Sequence, residues 1–138
     1  MELNTFGAVL RFALELESRL ATFYGDAAQT TGDAPARGVL VELAEAGEQN
    51  ARKLEQVRRQ QVNEMLLEPI HDVDSAQYEP DLAPHAGEEA ALDAARRAEG
   101  AAERFYHDMA RLLSIPEVAR SFSRMAEAHA RNRQKLSA

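Results

Sequence analysis

Apolar side chains recur in alternating steps of three and four near the start of the chain: Phe6, Val9, Leu10, Ala13, Leu20, Tyr24 and Ala27. One acid, Glu17, stands on the same stripe. That spacing predicts an amphipathic helix over about 3–28 with one inward face. The turn-forming run Thr30-Thr31-Gly32-Asp33-Ala34-Pro35 ends it. A second stripe, Leu40, Leu43, Gly47, Asn50, Leu54 and Val57, predicts a helix over about 35–61. The short connection makes these two helices antiparallel neighbours. A third helix is predicted over about 88–113 from Leu92, Ala95, Glu99, Ala102, Tyr106, Met109 and Leu113, and Ile115-Pro116 breaks it. The fourth runs from about Glu117 to the end, with Val118, Phe122, Met125, His129, Asn132 and Leu136 inward.

A shift of 82 positions lays Glu17 on Glu99, Phe23-Tyr24 on Phe105-Tyr106 and Asp26 on Asp108. The same shift lays Ala44-Glu45-Ala46 on Ala126-Glu127-Ala128, Asn50 on Asn132 and Lys53-Leu54 on Lys135-Leu136. One offset that serves both helix pairs predicts a duplicated helical hairpin. The expected organisation is a single all-α domain over 1–138, with one hairpin at 3–61, a crossover at 62–87 and a second hairpin at 88–138. The crossover is long enough to run back along a bundle and make the second and third helices parallel. Leu66, Leu67, Ile70, Val73, Tyr78 and Leu82 are its candidates for fastening it to a groove. Asp72-Val73-Asp74-Ser75 lacks the glycine and terminal glutamate of an EF-hand loop, so a calcium loop is not expected there.

Glu17, Gly47, Asn50, Glu99, His129 and Asn132 fall at one level of the predicted core. A carboxylate buried without a partner costs several kcal/mol, so each hairpin must compensate its own. Tyr24 and Tyr106 lie one helical step beyond the glutamates and are expected as core aromatics with one hydrogen bond to a carboxylate. Gly47 is expected to make room for His129 or a small ligand, or to mark a lost function, because glycine inside a helix costs about 1 kcal/mol relative to alanine. His71, His85 and His107 have no paired ligand at metal spacing and are expected to be solvated or capping.

The formal charge of −7 and a pI near 5.1 argue against nucleic acid or an anionic membrane as the main partner. The basic clusters around Arg52, Lys53, Arg58 and Arg59 and around Arg131, Arg133 and Lys135 lie near helix C-termini, where they complement the helix dipole. With no cysteine, thiolate zinc sites, iron–sulfur clusters and disulfides are excluded. Met1-Glu2-Leu3-Asn4 lacks the cationic start of a signal peptide, and no apolar run approaches a membrane span. A cytoplasmic protein is the expectation, with a homodimer as the default assembly.

Two hairpins, a long crossover and a glutamate seven residues before Phe-Tyr on the first and third helices resemble the rubrerythrin and ferritin-like family of di-iron carboxylate proteins. The resemblance covers nearly the whole chain and implies a ferritin-like four-helix bundle. It further implies a glutamate ligand from each of those helices, met by Glu17 and Glu99, plus a Glu-x-x-His motif from each of the other two. There the chain departs: it has Gly47-Glu48-Gln49-Asn50 on the second helix and His129-Ala130-Arg131-Asn132 on the fourth. Glu48 and Glu127 sit about 100° or more off the seam and do not substitute.

Two arrangements remain open. In one, Glu17, Glu99 and His129 hold a single Fe, Mn or Zn ion, or part of a nonstandard dinuclear Fe/Mn site, and the protein is an oxidoreductase acting on peroxide or oxygen. In the other, a charged His129 pairs with both glutamates while Asn50 and Asn132 donate to the remaining oxygens. The di-iron site is then degenerate and the bundle a noncatalytic binding or assembly module. No residue is assigned a catalytic role.

Overall fold

Helix α1 (Phe6–Thr30) begins where Thr5, in extended backbone, accepts the Ala8 amide proton on its hydroxyl at 3.1 Å. It begins three residues later than the periodicity predicts because the preceding residues pair with the crossover instead. The Leu3 amide donates to the Val73 carbonyl at 2.9 Å and the Ile70 amide to the Asn4 carbonyl at 2.9 Å. Helix α2 (Ala34–Met65) starts at Asp33, whose carboxylate accepts from the Ala36 amide at 3.1 Å, and it runs past the predicted end at Gln61. Neither glycine nor proline occurs between Gln61 and Met65 to stop it. Helix α3 (Glu88–Leu112) follows Gly87, whose φ of 93° suits a residue without a Cβ, and it places Glu88 and Glu89 in its first turn. Helix α4 (Pro116–Ser137) opens on proline, whose missing N–H is no loss at that position. The computed structural model describes residues 2–65, 70, 73–82 and 87–137, with backbone only over 61–65.

Among the described residues the protein is all-helical, with no strand beyond an isolated bridge between Glu2 and Asp74. Helix α1 packs against α2 and α3 against α4, and the two pairs meet through α1·α3 and α2·α4. Tyr24 reaches Glu99 while Tyr106 reaches Glu17, so α1 and α3 run in opposite directions. Because each hairpin is itself antiparallel, α2 and α3 are parallel, and the chain between them must return along the bundle.

That return lies on the α1·α3 side. Asp74 caps a 3₁₀ turn over Ser75–Tyr78 by accepting from the Ala76 amide at 2.8 Å. Tyr78 is buried, packs its ring edge on Phe105 and donates its hydroxyl to Asp108 at 2.6 Å. Arg104 donates to the Gln77 carbonyl and lies over the Tyr78 ring, while Arg19 holds Glu79 and the Pro80 carbonyl. Ile70 is buried and Val73 and Leu82 pack against the core, as expected, whereas Leu66 and Leu67 lie outside the described residues. Phe12, Phe105, Tyr106 and Phe122 fill the core beside them in edge-to-face and tilted contacts. Each such ring contributes roughly 1.5–3 kcal/mol through burial.

Gly47 marks the closest approach of α2 to α1. A Cβ there would lie 3.1 Å from the Ala21 Cβ and 3.1 Å from the Glu17 carbonyl oxygen, neither of which can swing aside. Gly25, inside α1, would meet nothing within 4 Å. Gly25→Ala should therefore stabilise the protein by about 0.5–1 kcal/mol through helix propensity. Gly47→Ala should destabilise it by about 1–3 kcal/mol despite the same propensity gain. Urea unfolding of both variants checks the pair, and a stabilising Gly47→Ala would refute the close contact.

Candidate polar centre

Glu17 on α1 and Glu99 on α3 are fully buried, and His129 on α4 stands between them. Its Nδ1 lies 2.6 Å from Glu99 Oε1 and its Nε2 2.8 Å from Glu17 Oε2. The remaining donors come from all four helices. Asn50 on α2 donates to Glu17 Oε1 at 3.1 Å and Asn132 on α4 to Glu99 Oε1 at 3.2 Å. Tyr24 donates its hydroxyl to Glu99 Oε2 and Tyr106 donates to Glu17 Oε2, each at 2.5 Å. Every carboxylate oxygen thus accepts at least one hydrogen bond, as two buried carboxylates require.

The layer has an approximate two-fold relation, since the shift of 82 turns Tyr24→Glu99 into Tyr106→Glu17 and Asn50→Glu17 into Asn132→Glu99. His129 breaks it, for its counterpart is Gly47. A single imidazole bridges both glutamates, and the matching position on α2 carries no side chain.

Both ring nitrogens of His129 face acceptors, so both must donate, and the ring is an imidazolium. Burial alone would pull its pKa down, but the two carboxylates and their hydrogen bonds outweigh burial and raise it from 6.5 to about 10. The Tyr106 ring stacks on it at 5.4 Å with an interplanar angle of 8°, a cation–π arrangement. Burial, then the charge and hydrogen bond of the facing glutamate, push the Tyr24 and Tyr106 hydroxyls well above 10, so both stay protonated donors. One cation against two carboxylates leaves the layer with one net negative charge, which the tyrosine and asparagine dipoles offset.

The expected residues Glu17, Glu99 and His129 do converge, and Asn50, Asn132, Tyr24 and Tyr106 touch them directly. Gly47 differs: it faces the α1 backbone at Glu17 and Ala21, so the space it leaves is taken by α1 and not by His129 or a ligand. Glu48 and Glu127 are exposed, consistent with their being off the seam, and His107 is exposed. His71 and His85 lie outside the described residues. The tyrosines are core aromatics with one hydrogen bond each to a carboxylate, as expected, and because α1 and α3 run antiparallel each serves the glutamate of the opposite hairpin. The equal seven-residue spacing from Glu17 to Tyr24 and from Glu99 to Tyr106 was the sequence signal for that exchange.

The donor set does not fit the ions that the family resemblance implies. A metal ligand must offer a lone pair, yet both nitrogens of His129 are committed as donors to opposite carboxylates. The carboxylate oxygens already accept from protein groups. Among the described residues, no group of three or more His, Asp or Glu side chains is arranged to hold a metal ion. The centre fits a proton. The chain matches no protein-family model, no curated protein and no solved structure.

Removing the bridge leaves like charges facing each other at low dielectric, so His129→Ala should destabilise the fold by about 3–5 kcal/mol in urea unfolding. The sign of the pH dependence follows from the raised pKa. The stabilisation from His129 is complete below the unfolded value of 6.5 and is lost as pH rises through about 10. Between about pH 6 and pH 9.5 the unfolding free energy should fall by on the order of 3–4 kcal/mol. A flat or rising profile over that window would contradict a charged His129.

Proposed function

We propose that the protein is a ferritin-like bundle of the rubrerythrin type whose di-iron centre has been replaced by a buried imidazolium. It serves as a noncatalytic binding or assembly module. The observation that carries this reading is the bridge Glu17–His129–Glu99, in which a protonated side chain occupies the space between the two acids that match the family's ligands on the first and third helices. The helix pairing, the reverse-running crossover and the contacts repeated under one offset support descent from a duplicated hairpin. The absence of Glu-x-x-His on α2 and α4 removes the carboxylates and imidazoles that two ferrous ions would need.

With its centre sealed, such a module acts through its surface. The proposed assembly is a homodimer, and the proposed location is the cytoplasm; among the described residues no helix is long and apolar enough to cross a membrane. The competing reading is a mononuclear or nonstandard dinuclear Fe/Mn oxidoreductase. It draws on the convergence of Glu17, Glu99 and His129, and it requires His129 to give up its proton and one of its two carboxylate partners.

Protein purified without chelator or affinity tag separates the two. Metal analysis should find iron, manganese and zinc well below one ion per chain, and EDTA should leave the melting temperature unchanged, since no ion contributes to the folded state. Near-stoichiometric metal together with a large drop in melting temperature on chelation would establish the oxidoreductase reading instead.

A further inference from the structure

A phenylalanine followed three residues later by an aspartate occurs on α3, at Phe105 and Asp108, and on α1, at Phe23 and Asp26. On α3 the crossover fills the pair. Tyr78 sets its ring against Phe105, with centroids 5.4 Å apart and an interplanar angle of 69°, and donates its hydroxyl to Asp108 at 2.6 Å. Phe105 is thereby fully buried. On α1 the two residues stand in the same local relation, because positions three apart on a helix share a face. Each phenylalanine also meets the tyrosine after it edge-on, at 72° on α1 and 67° on α3. Yet among the described residues no ring other than Tyr24 lies against Phe23, which is half-buried. Asp26 is exposed and makes no side-chain hydrogen bond or ion pair among them.

Phe23 and Asp26 line an open cleft of about 1030 Å³, together with Leu40 of α2, Leu82 of the crossover and Ala91 and Leu92 of α3. The space has a packing cause: Phe105 is surrounded by the rings of Phe12, Tyr78 and Phe122, whereas these neighbours of Phe23 are all aliphatic. We propose that the cleft binds a small phenolic compound, its ring against Phe23 and its hydroxyl on the Asp26 carboxylate, as Tyr78 binds Phe105 and Asp108. A phenol keeps its proton at neutral pH and donates it to a carboxylate in a short charge-assisted hydrogen bond. Arg19, the one base among the described lining residues, is engaged by Glu79 and the Pro80 carbonyl, while Asp26, Asp81 and Glu88 make the lining acidic. The ligand is therefore a neutral or cationic phenol, since one carrying its own carboxylate would be repelled. The polar centre takes no part, so the inference goes beyond the noncatalytic reading and stands whatever metal analysis finds there.

The probe is p-cresol, and toluene, the same ring without the hydroxyl, is its control. Titrations at neutral pH followed by backbone amide shifts in two-dimensional NMR should show p-cresol moving the amides of 22–27 and 87–92, which border the cleft. It should bind about tenfold more tightly than toluene, although toluene is the more apolar, because only p-cresol can donate to Asp26. Asp26→Ala should weaken p-cresol by about tenfold and leave toluene within about twofold, and it keeps the fold because the side chain it removes is exposed. Ala91→Phe, which puts a ring of the protein's own into the cleft, should abolish binding of both. Amide shifts scattered away from the cleft, toluene binding as tightly as p-cresol, or an Asp26→Ala variant with undiminished affinity for p-cresol overturns the proposal.

Discussion

One imidazolium between two buried carboxylates fixes how the four helices meet. His129 joins α4 to α1 and α3 in the same side chain, and the tyrosines cross in both directions between α1 and α3. Breaking a buried pair leaves an uncompensated charge and costs several kcal/mol, whereas an apolar layer would slide at little cost. A shift of α3 along α1 by one turn would separate each glutamate from its tyrosine and at least one from the histidine. The layer thus specifies register and helix direction more than it adds to overall stability. The apolar stripes above and below it, from Leu3 and Phe12 to Phe105 and Phe122, supply the burial.

The two hairpins share a plan but close differently. Position 129 carries a side chain that reaches across the bundle, and position 47 carries none. With only hydrogen at Gly47, α2 settles onto the Glu17 carbonyl and Ala21. These two positions act together. A second large side chain at position 47 would require α1 and α2 to separate, since even a Cβ meets backbone there. A glutamate or histidine at position 47 is consequently not a matter of side-chain substitution alone, because α1 would have to move away from α2.

Much of this was legible in the chain. The stripes gave helix number and faces, because periodicity reports burial directly. Glu17, Glu99, His129, Asn50 and Asn132 were identifiable as one layer because each is a polar residue on an apolar seam. What the sequence concealed were relations between helices. A tyrosine seven residues after a glutamate looks like that glutamate's neighbour until the antiparallel direction of α1 and α3 hands it to the other hairpin. Gly47 read as room for a partner, and only the α1·α2 crossing shows which partner. The start of α1 was misplaced because Leu3, a core residue on the right periodicity, is held by backbone hydrogen bonds to the crossover, a competition that local pattern does not register.

A proton at the bundle centre sets what the core can do. An ion at a bundle centre offers exchangeable coordination positions and a redox couple, and both need a path for ligands. An imidazolium with both N–H groups spent offers neither, and the side chains around it are almost wholly buried. Its stability is also of another kind. A pKa near 10 keeps the proton in place throughout the neutral range, so the centre assembles without metal supply or an electron donor. The negative charge that remains is held by dipoles from Tyr24, Tyr106, Asn50 and Asn132, none of which titrates near neutrality. With the donors and acceptors of the layer spent inside the core, contact with other molecules falls to the outer helix faces, where Lys135 of α4 meets Glu42 of α2 at 2.7 Å.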